Sequence, residues 1–162
     1  VQALARAPLR SPPASALLCR LAAQLLPELA DADARPLLEL LDQSLRHKSD
    51  LAMLEAARAV AHLPAPPARE LVSAVSVLQG FLNSPKPPLR FAACRTLSRL
   101  ASSQPMVVAA CNPDLEALIS DTNRSIATLA ITTLLKTGGE ASIERLMKQI
   151  QAFLAALPDE FK

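Results

Sequence analysis

The sequence predicts an all-α fold, namely a right-handed α-solenoid of HEAT/armadillo-like helix pairs with about four repeats of 37 residues. One observation is a block of small and aliphatic residues that recurs every 37 residues, at 56–60, 93–97 and 130–134. Another is two aliphatic columns at the same interval in the preceding helices, formed by Leu41, Leu78 and Leu115 and by Leu45, Leu82 and Ile119. Because one such unit cannot bury its apolar faces alone, neighbours must stack, and we expect function to lie on extended surfaces.

A partial copy of the repeat precedes the first full one. Leu17 lies one interval before Leu54, and Leu26 lies one interval before Leu63. The 162 residues have room for about four units and no second domain. We therefore expect residues 1–162 to form a single segment of a helical-repeat trunk, cut from a longer chain, with 1–14 frayed or irregular.

Prolines separate the predicted helices, since most of the fourteen prolines lie between apolar patterns and the chain has only three glycines. The patterns predict helices near 15–29, 35–46, 51–63, 67–83, 88–103, 113–120, 124–136 and 140–157. Asp33, Asn112 and Asn123 are predicted N-caps, and Gly138 with Gly139 a helix stop.

The helix predicted after Pro88 has an apolar arc wide enough for contacts on two sides, as stacking requires. Its Ala93 is expected to let a neighbouring helix approach closely. Arg90 falls inside this arc by helical phase, so its charge needs a partner, and Asp121 occupies the equivalent turn one unit later. We therefore predict a structural link between Arg90 and Asp121 that joins neighbouring units.

Composition argues against nucleic-acid binding. Seventeen basic residues against fifteen acidic ones give no strong positive excess, and with four Phe, no Trp and no Tyr the chain lacks stacking platforms for bases. Cys19, Cys94 and Cys111 have neither metal-ligand nor disulfide spacing, which suits a reducing compartment. Cys94 is expected to be a small buried hydrophobe. Neither a signal peptide nor a membrane span is predicted.

No motif in the sequence indicates catalysis. His47 and His62 have no metal-ligand company, and no nucleophile motif or glycine-rich phosphate loop is present. Acidic pairs such as Asp114 with Glu116 suit solvated helix faces or helix starts. We predict a protein that is not an enzyme and that uses no metal and no cofactor.

A polar stripe recurs on the second helix of each unit. Its members are Arg58 and His62, then Arg95 and Arg99, then Thr132 and Lys136. The first helices instead carry acids such as Glu39, Asp42, Asp114, Glu116 and Glu144. The stripe is either a basic lane that binds an acidic partner protein or an ordinary solvated face.

The second half of the chain resembles a known family. The runs that carry the resemblance are Leu89-Arg90-Phe91-Ala92-Ala93-Cys94-Arg95-Thr96-Leu97, the stretch 110–116, and the stretch 121–138, which ends in Leu134-Leu135-Lys136-Thr137-Gly138. Further matching stretches lie at 74–79, 143–150 and 159–162. From about residue 70 onward the sequence is similar to the coatomer gamma-subunit family, whose trunk is adaptin-like.

This resemblance implies a scaffold of the COPI vesicle coat, in the cytoplasm and peripheral on the cytosolic side of Golgi membranes and COPI-coated vesicles. It implies zeta, beta and delta coat subunits and a GTP-bound Arf-family GTPase as partners, and a role in retrograde Golgi-to-ER and intra-Golgi transport. The alternative is a generic HEAT-repeat adaptor, karyopherin-like or phosphatase-scaffold-like, that binds an extended peptide in its concave face. The repeat and the stripe suit that alternative equally well, but the run at 121–138 does not.

Overall fold

The structure is a computed structural model. It describes residues 11–138 together with Met147, Lys148, Gln151 and Ala155, and among these the regular secondary structure is entirely helical. The α-helices of residues 11–138 are α1 (Pro12–Leu25), α2 (Asp31–Leu45), α3 (Asp50–Ala61), α4 (Ala68–Leu82), α5 (Pro87–Leu100), α6 (Pro105–Val108), α7 (Asn112–Ala117) and α8 (Arg124–Thr137). Short 3₁₀ turns follow α1, α6 and α7 at Leu26–Glu28, Ala109–Cys111 and Leu118–Ser120.

Helix α1 begins earlier than predicted. It starts at Pro12, where the missing N–H of proline costs nothing in the first turn, so residues 12–14 are helical and not irregular. It ends at Leu25 because Pro27 lies in the following 3₁₀ turn. Helix α2 likewise begins at Asp31, four residues before the predicted start.

One of the three predicted N-caps is confirmed. The Asn123 side chain accepts a hydrogen bond from Ser125 N at 3.0 Å at the start of α8. The prediction for Asp33 is wrong, because α2 has already begun at Asp31. The prediction for Asn112 is also wrong, because its side chain faces the end of α8, where Thr137 Oγ1 donates to Asn112 Oδ1 at 2.7 Å. The predicted stop is confirmed at Gly138, since α8 ends at Thr137.

The segment between α5 and α8 is more finely divided than the sequence predicts. A four-residue helix, α6, lies where a loop was expected, and the helix expected over 113–120 is a short α7 followed by a 3₁₀ turn. The helix predicted over 140–157 lies outside the described residues except at 147, 148, 151 and 155, which are helical.

The chain forms two compact units, the N-terminal unit at residues 1–80 and the C-terminal unit at 81–162. In the N-terminal unit α3 packs against both α1 and α2. In the C-terminal unit α8 packs against both α5 and α7. Each unit therefore contains one helix that packs against two others. One of these two, α1 or α5, is the second helix of the preceding repeat, and the other, α2 or α7, is the first helix of the same repeat. Such packing is expected for an α-solenoid.

The predicted aliphatic columns are buried. Leu41, Leu78 and Leu115 are fully shielded, and so are Ala56, Ala93 and Ala130 at the centre of the recurring block. The partial copy is different, because Leu17 is 63% exposed whereas Leu54 is buried, so the expected equivalence of these two positions is wrong. Cys19 fits instead, since it is buried one interval before Ala56. The 37-residue interval thus describes the core of both units.

Candidate partner-binding surface

The polar stripe begins, in the N-terminal unit, with a cation that is already bound. Arg58 Nη1 donates to Glu55 Oε1 at 2.9 Å, three residues earlier on α3. Glu55 is also held by Arg20 of α1, whose Nε donates to Oε2 at 2.7 Å and whose Nη2 donates to Oε1 at 3.0 Å. His62 is exposed, and its Nδ1 lies 2.6 Å from the carbonyl oxygen of Arg58. Arg20 and Arg58 thus hold the Glu55 carboxylate between them, and we call these three residues the Glu55 clamp. The charge of Arg58 therefore already has a partner.

Glu55 and Arg20 are functional candidates that the sequence analysis missed. The Glu55 side chain is only 6% exposed, whereas Arg20 and Arg58 keep 59% and 42% of their side chains exposed. The hydrogen bond from Arg20 lowers the pKa of Glu55, and the charge of Arg58 adds to this effect against the opposing effect of burial. The one available signal was Glu55 itself, a lone acid between Leu54 and Ala56 on an apolar face.

The clamp predicts how the N-terminal unit responds to acid. Because the pKa of Glu55 is lower in the folded state than in the unfolded state, its contribution is complete above the unfolded pKa and is lost as the pH falls through the folded pKa. We expect the free energy of unfolding to fall as the pH drops below about 4.3, the ordinary pKa of a glutamate, and through the lower folded pKa of Glu55, and to fall less steeply in Glu55→Gln. Urea unfolding followed by circular dichroism at several pH values measures both slopes.

Asp42→Asn is the matched control for this prediction. Asp42 pairs with Arg46 across one turn of α2 at 3.1 Å, and the Arg46 side chain is 67% exposed. Exposed pairs of this kind contribute about 0.3–0.5 kcal/mol. The free energy of unfolding of Asp42→Asn should therefore fall with falling pH as steeply as that of the unaltered chain. If that of Glu55→Gln also falls as steeply as in the unaltered chain, the clamp is contradicted.

In the C-terminal unit the stripe residues of α5 are open. Arg95 and Arg99 are exposed one turn apart, and neither forms a hydrogen bond or ion pair with any residue that the structure describes. They share one face of α5, because residues four apart are neighbours on a helix. Their like charges repel each other weakly at this spacing. These two residues are thus available to a partner in a way that Arg58 is not.

Lys136 lies beside them at the other packed helix. Its Nζ donates to the carbonyl oxygen of Ser98 at 2.8 Å and to Ser102 Oγ at 3.0 Å. Ser98 is among the last four residues of α5, whose carbonyls lack partners within the helix. Lys136 therefore gives a hydrogen-bond donor to a backbone carbonyl at the C-terminal end of α5, in the residue just before Arg99. The structure thus places Lys136 of α8 at the C-terminal end of α5, the end that carries Arg99, whereas Arg58 and His62 belong to the N-terminal unit.

Arg90 and Asp121 are also brought together. Arg90 Nε donates to Asp121 Oδ2 at 2.9 Å, and Arg90 Nη1 donates to the carbonyl oxygen of Ser84 at 2.9 Å. Asp121 Oδ1 accepts from Asn123 N at 2.7 Å, just before α8 begins. The two side chains are 17% and 5% exposed. This largely buried pair joins the first turns of α5, and Ser84 before it, to the turn before α8.

The three cysteines are free and buried. Burial raises the pKa of Cys94 to about 12 and the pKa of Cys111 to about 11, and it also raises the pKa of Cys19. A thiol that stays protonated is a poor nucleophile and a poor metal ligand. The expectation that Cys94 is a small buried hydrophobe is confirmed.

An open groove of about 540 Å³ lies between α2 and α4 in the N-terminal unit. Its lining has both signs of charge, with Arg35 and Arg69 among Glu39, Asp42 and Glu70. Within the described residues no group of three or more His, Cys, Asp or Glu side chains is placed to hold a metal ion. None of the helices in the described part of the chain is long and apolar enough to span a membrane.

Packed helices with buried columns at a fixed interval, and charged residues on exposed helix faces, define the class of helical-repeat proteins. A family profile described as the Adaptin N terminal region matches residues 1–162. The chain belongs to this adaptin family.

The chain is similar over its whole length to gamma subunits of coatomer. Coatomer subunit gamma of Arabidopsis thaliana is 54% identical over 165 residues, which cover 100% of this chain and 19% of the relative. Coatomer subunit gamma-2 of Homo sapiens is 55% identical over 154 residues, which cover 95% of this chain and 18% of the relative. The resemblance found at 89–97 and 121–138 is confirmed, and it also covers the residues before 70. The chain spans about a fifth of the length of these relatives.

The fold is also similar to that of an engineered protein of known crystal structure. The TM-score is 0.62 at 21% sequence identity, with 88% of this chain and 65% of that chain covered. At this identity the likeness concerns the fold alone.

Proposed function

We propose that this chain is a scaffold segment of the COPI vesicle coat, acting through protein–protein contacts with other coat subunits. The observation that carries the proposal is 52–55% identity to coatomer gamma subunits of plants and animals over 95–100% of the chain. Membership of the adaptin family supports the same role. Its mechanism is non-covalent, because packed helix pairs hold their exposed faces in fixed positions within each unit.

The proposal extends to partners and place. The zeta, beta and delta subunits of coatomer are the proposed coat partners, and an Arf-family GTPase in its GTP form is a proposed recruiting partner. The chain then acts in retrograde Golgi-to-ER and intra-Golgi transport, in the cytoplasm and peripherally on Golgi membranes and COPI-coated vesicles. The exposed residues of the stripe, namely His62, Arg95, Arg99 and Lys136, together with the partly exposed Arg58, are proposed contacts in this assembly.

Two binding experiments test this proposal. The first is co-purification of the tagged chain with purified zeta, beta and delta coat subunits, in which retention of at least one subunit supports a scaffold role. Retention of none contradicts it. The second is calorimetric titration with an Arf-family GTPase loaded with a GTP analogue or with GDP. Binding of the GTP form alone supports recruitment through this segment, whereas equal or absent binding of both forms contradicts the Arf contact and leaves the first test unaffected.

A further inference from the structure

We propose that the basic cluster of the C-terminal unit, formed by Arg95, Arg99 and Lys136, binds a carboxylate-rich segment of a partner protein. This inference deepens the proposed scaffold role and rests on it, because a scaffold acts through such contacts. It narrows the predicted stripe to three residues of one unit and names the chemistry that they recognise.

The geometry of α5 and α8 places the three cations together. Arg90 near the start of α5 contacts Asp121 just before α8, and Lys136 near the end of α8 contacts Ser98 near the end of α5. The two helices are therefore parallel, with their C-terminal ends side by side. Lys136 lies at the end of α5 that carries Arg99, and Arg95 lies one turn earlier on the same face.

The position of Lys136 is fixed before any partner arrives. Its ammonium group has three N–H donors, of which two are used by Ser98 O and Ser102 Oγ. The third donor is available to a ligand. Because the side chain is already held, little rotamer entropy is lost when a carboxylate binds to it.

No acid on these two helices neutralises the cluster. Helix α5 reads PPLRFAACRTLSRL and helix α8 reads RSIATLAITTLLKT, so neither contains Asp or Glu. Arg95 and Arg99 repel each other weakly at a spacing of one turn, and neither has an ion-pair partner among the described residues. In the N-terminal unit, by contrast, the buried Glu55 already binds both Arg20 and Arg58. Among the Arg and Lys residues of the stripe, those whose charge is open thus lie in the C-terminal unit.

Carboxylates of a protein segment fit the cluster better than a membrane or a nucleic acid does. Anionic membranes typically bind clusters of about four to eight Lys or Arg residues, and this cluster has three. The chain has no Trp or Tyr to stack on bases or to anchor in a lipid interface. An arginine guanidinium donates two parallel hydrogen bonds to one carboxylate, and two guanidinium groups with one ammonium suit a short run of acidic side chains.

The test is fluorescence anisotropy with the full chain and a fluorescein-labelled peptide of alternating Glu and Ser residues, compared with a twin peptide carrying Lys for Glu. Arg95→Glu/Arg99→Glu is expected to weaken binding of the acidic peptide about tenfold or more. The matched control is Lys48→Glu/Arg124→Glu. Both control residues are exposed, and Arg124 lies at the opposite end of α8, about 18 Å from Lys136 along the helix axis.

The proposal is supported if the acidic peptide binds, the Lys peptide does not, and only the cluster variant loses affinity. It is overturned if the acidic peptide fails to bind or binds the cluster variant and the control variant equally well. Vesicles containing phosphatidylserine form a third arm, and binding to these vesicles in place of the peptide also overturns it. Circular dichroism checks folding, and Arg95→Gln/Arg99→Gln replaces the reversal if that variant is unstable.

Failure here differs from failure of the scaffold proposal. If the chain retains coat subunits but does not bind the acidic peptide, only the chemistry of the cluster is wrong. If the chain binds the peptide but retains no coat subunit, the coat assignment is wrong and the carboxylate site stands.

Discussion

Arg90→Met is expected to lower the free energy of unfolding by about 3–5 kcal/mol, because it leaves the buried carboxylate of Asp121 without its charged partner. The Asp121 side chain is only 5% exposed, so water cannot replace the guanidinium. The variant also removes the hydrogen bond from Arg90 to the carbonyl oxygen of Ser84, which holds the turn before α5. Urea unfolding monitored by circular dichroism measures the loss.

A double-mutant cycle separates the unpaired charge from the lost packing. Asp121→Asn in the Arg90→Met background removes the buried charge, so the double variant should be more stable than Arg90→Met alone. Arg95→Met is the control on the same helix, because Arg95 is exposed and has no partner among the described residues. Its stability should change by no more than about 0.5 kcal/mol. A cycle in which the two substitutions add independently would exclude a stabilising ion pair.

Ala93→Leu is expected to cost about 1–3 kcal/mol, because the added carbons have no space in a packed helix contact. Ala93 has no solvent exposure and lies on α5, which packs against α8. Larger side chains at this position force neighbouring side chains off their preferred rotamers or push the helices apart. The midpoint of urea unfolding is the measurement.

Ala92→Leu is the matched control for this prediction, since it adds the same atoms one residue earlier on the same helix. Ala92 is only partly buried, so a larger side chain there can extend toward solvent. We expect a change within about 0.5 kcal/mol. Equal losses in the two variants would show that the small residue at position 93 is not needed for the approach of α8.

Periodicity predicted the core of this fold well, because burial follows the 37-residue interval. Leu78 and Leu115 lie in one column and both are fully shielded. Helix ends were less predictable, since they depend on local hydrogen bonds. Asn112 has the chemistry of an N-cap, yet its side chain binds Thr137, twenty-five residues later in the chain. A sequence pattern shows which residues can cap but not which contact competes for them.

The candidate site was predictable only where the helical position of a charged residue, on an apolar face, required a partner of opposite charge. Arg90 pointed into an apolar arc, so a partner was required, and Asp121 was the acid at the equivalent turn. Arg20 and Glu55 lie on different helices, and neither has an acid or base at the corresponding repeat position, so no periodic signal linked them. The bond from Lys136 to Ser98 involves a backbone carbonyl, which every residue possesses and which composition therefore cannot reveal.

The parallel helices α5 and α8 are pinned at both ends, by Arg90 with Asp121 at one end and by Lys136 with Ser98 at the other. Sliding one helix past the other by a single residue, a rise of about 1.5 Å, strains both links in the same direction. The pair therefore resists shear along its common axis. When the chain is under mechanical load, α5 and α8 should move together as one rigid body, and elastic bending should occur outside these two helices.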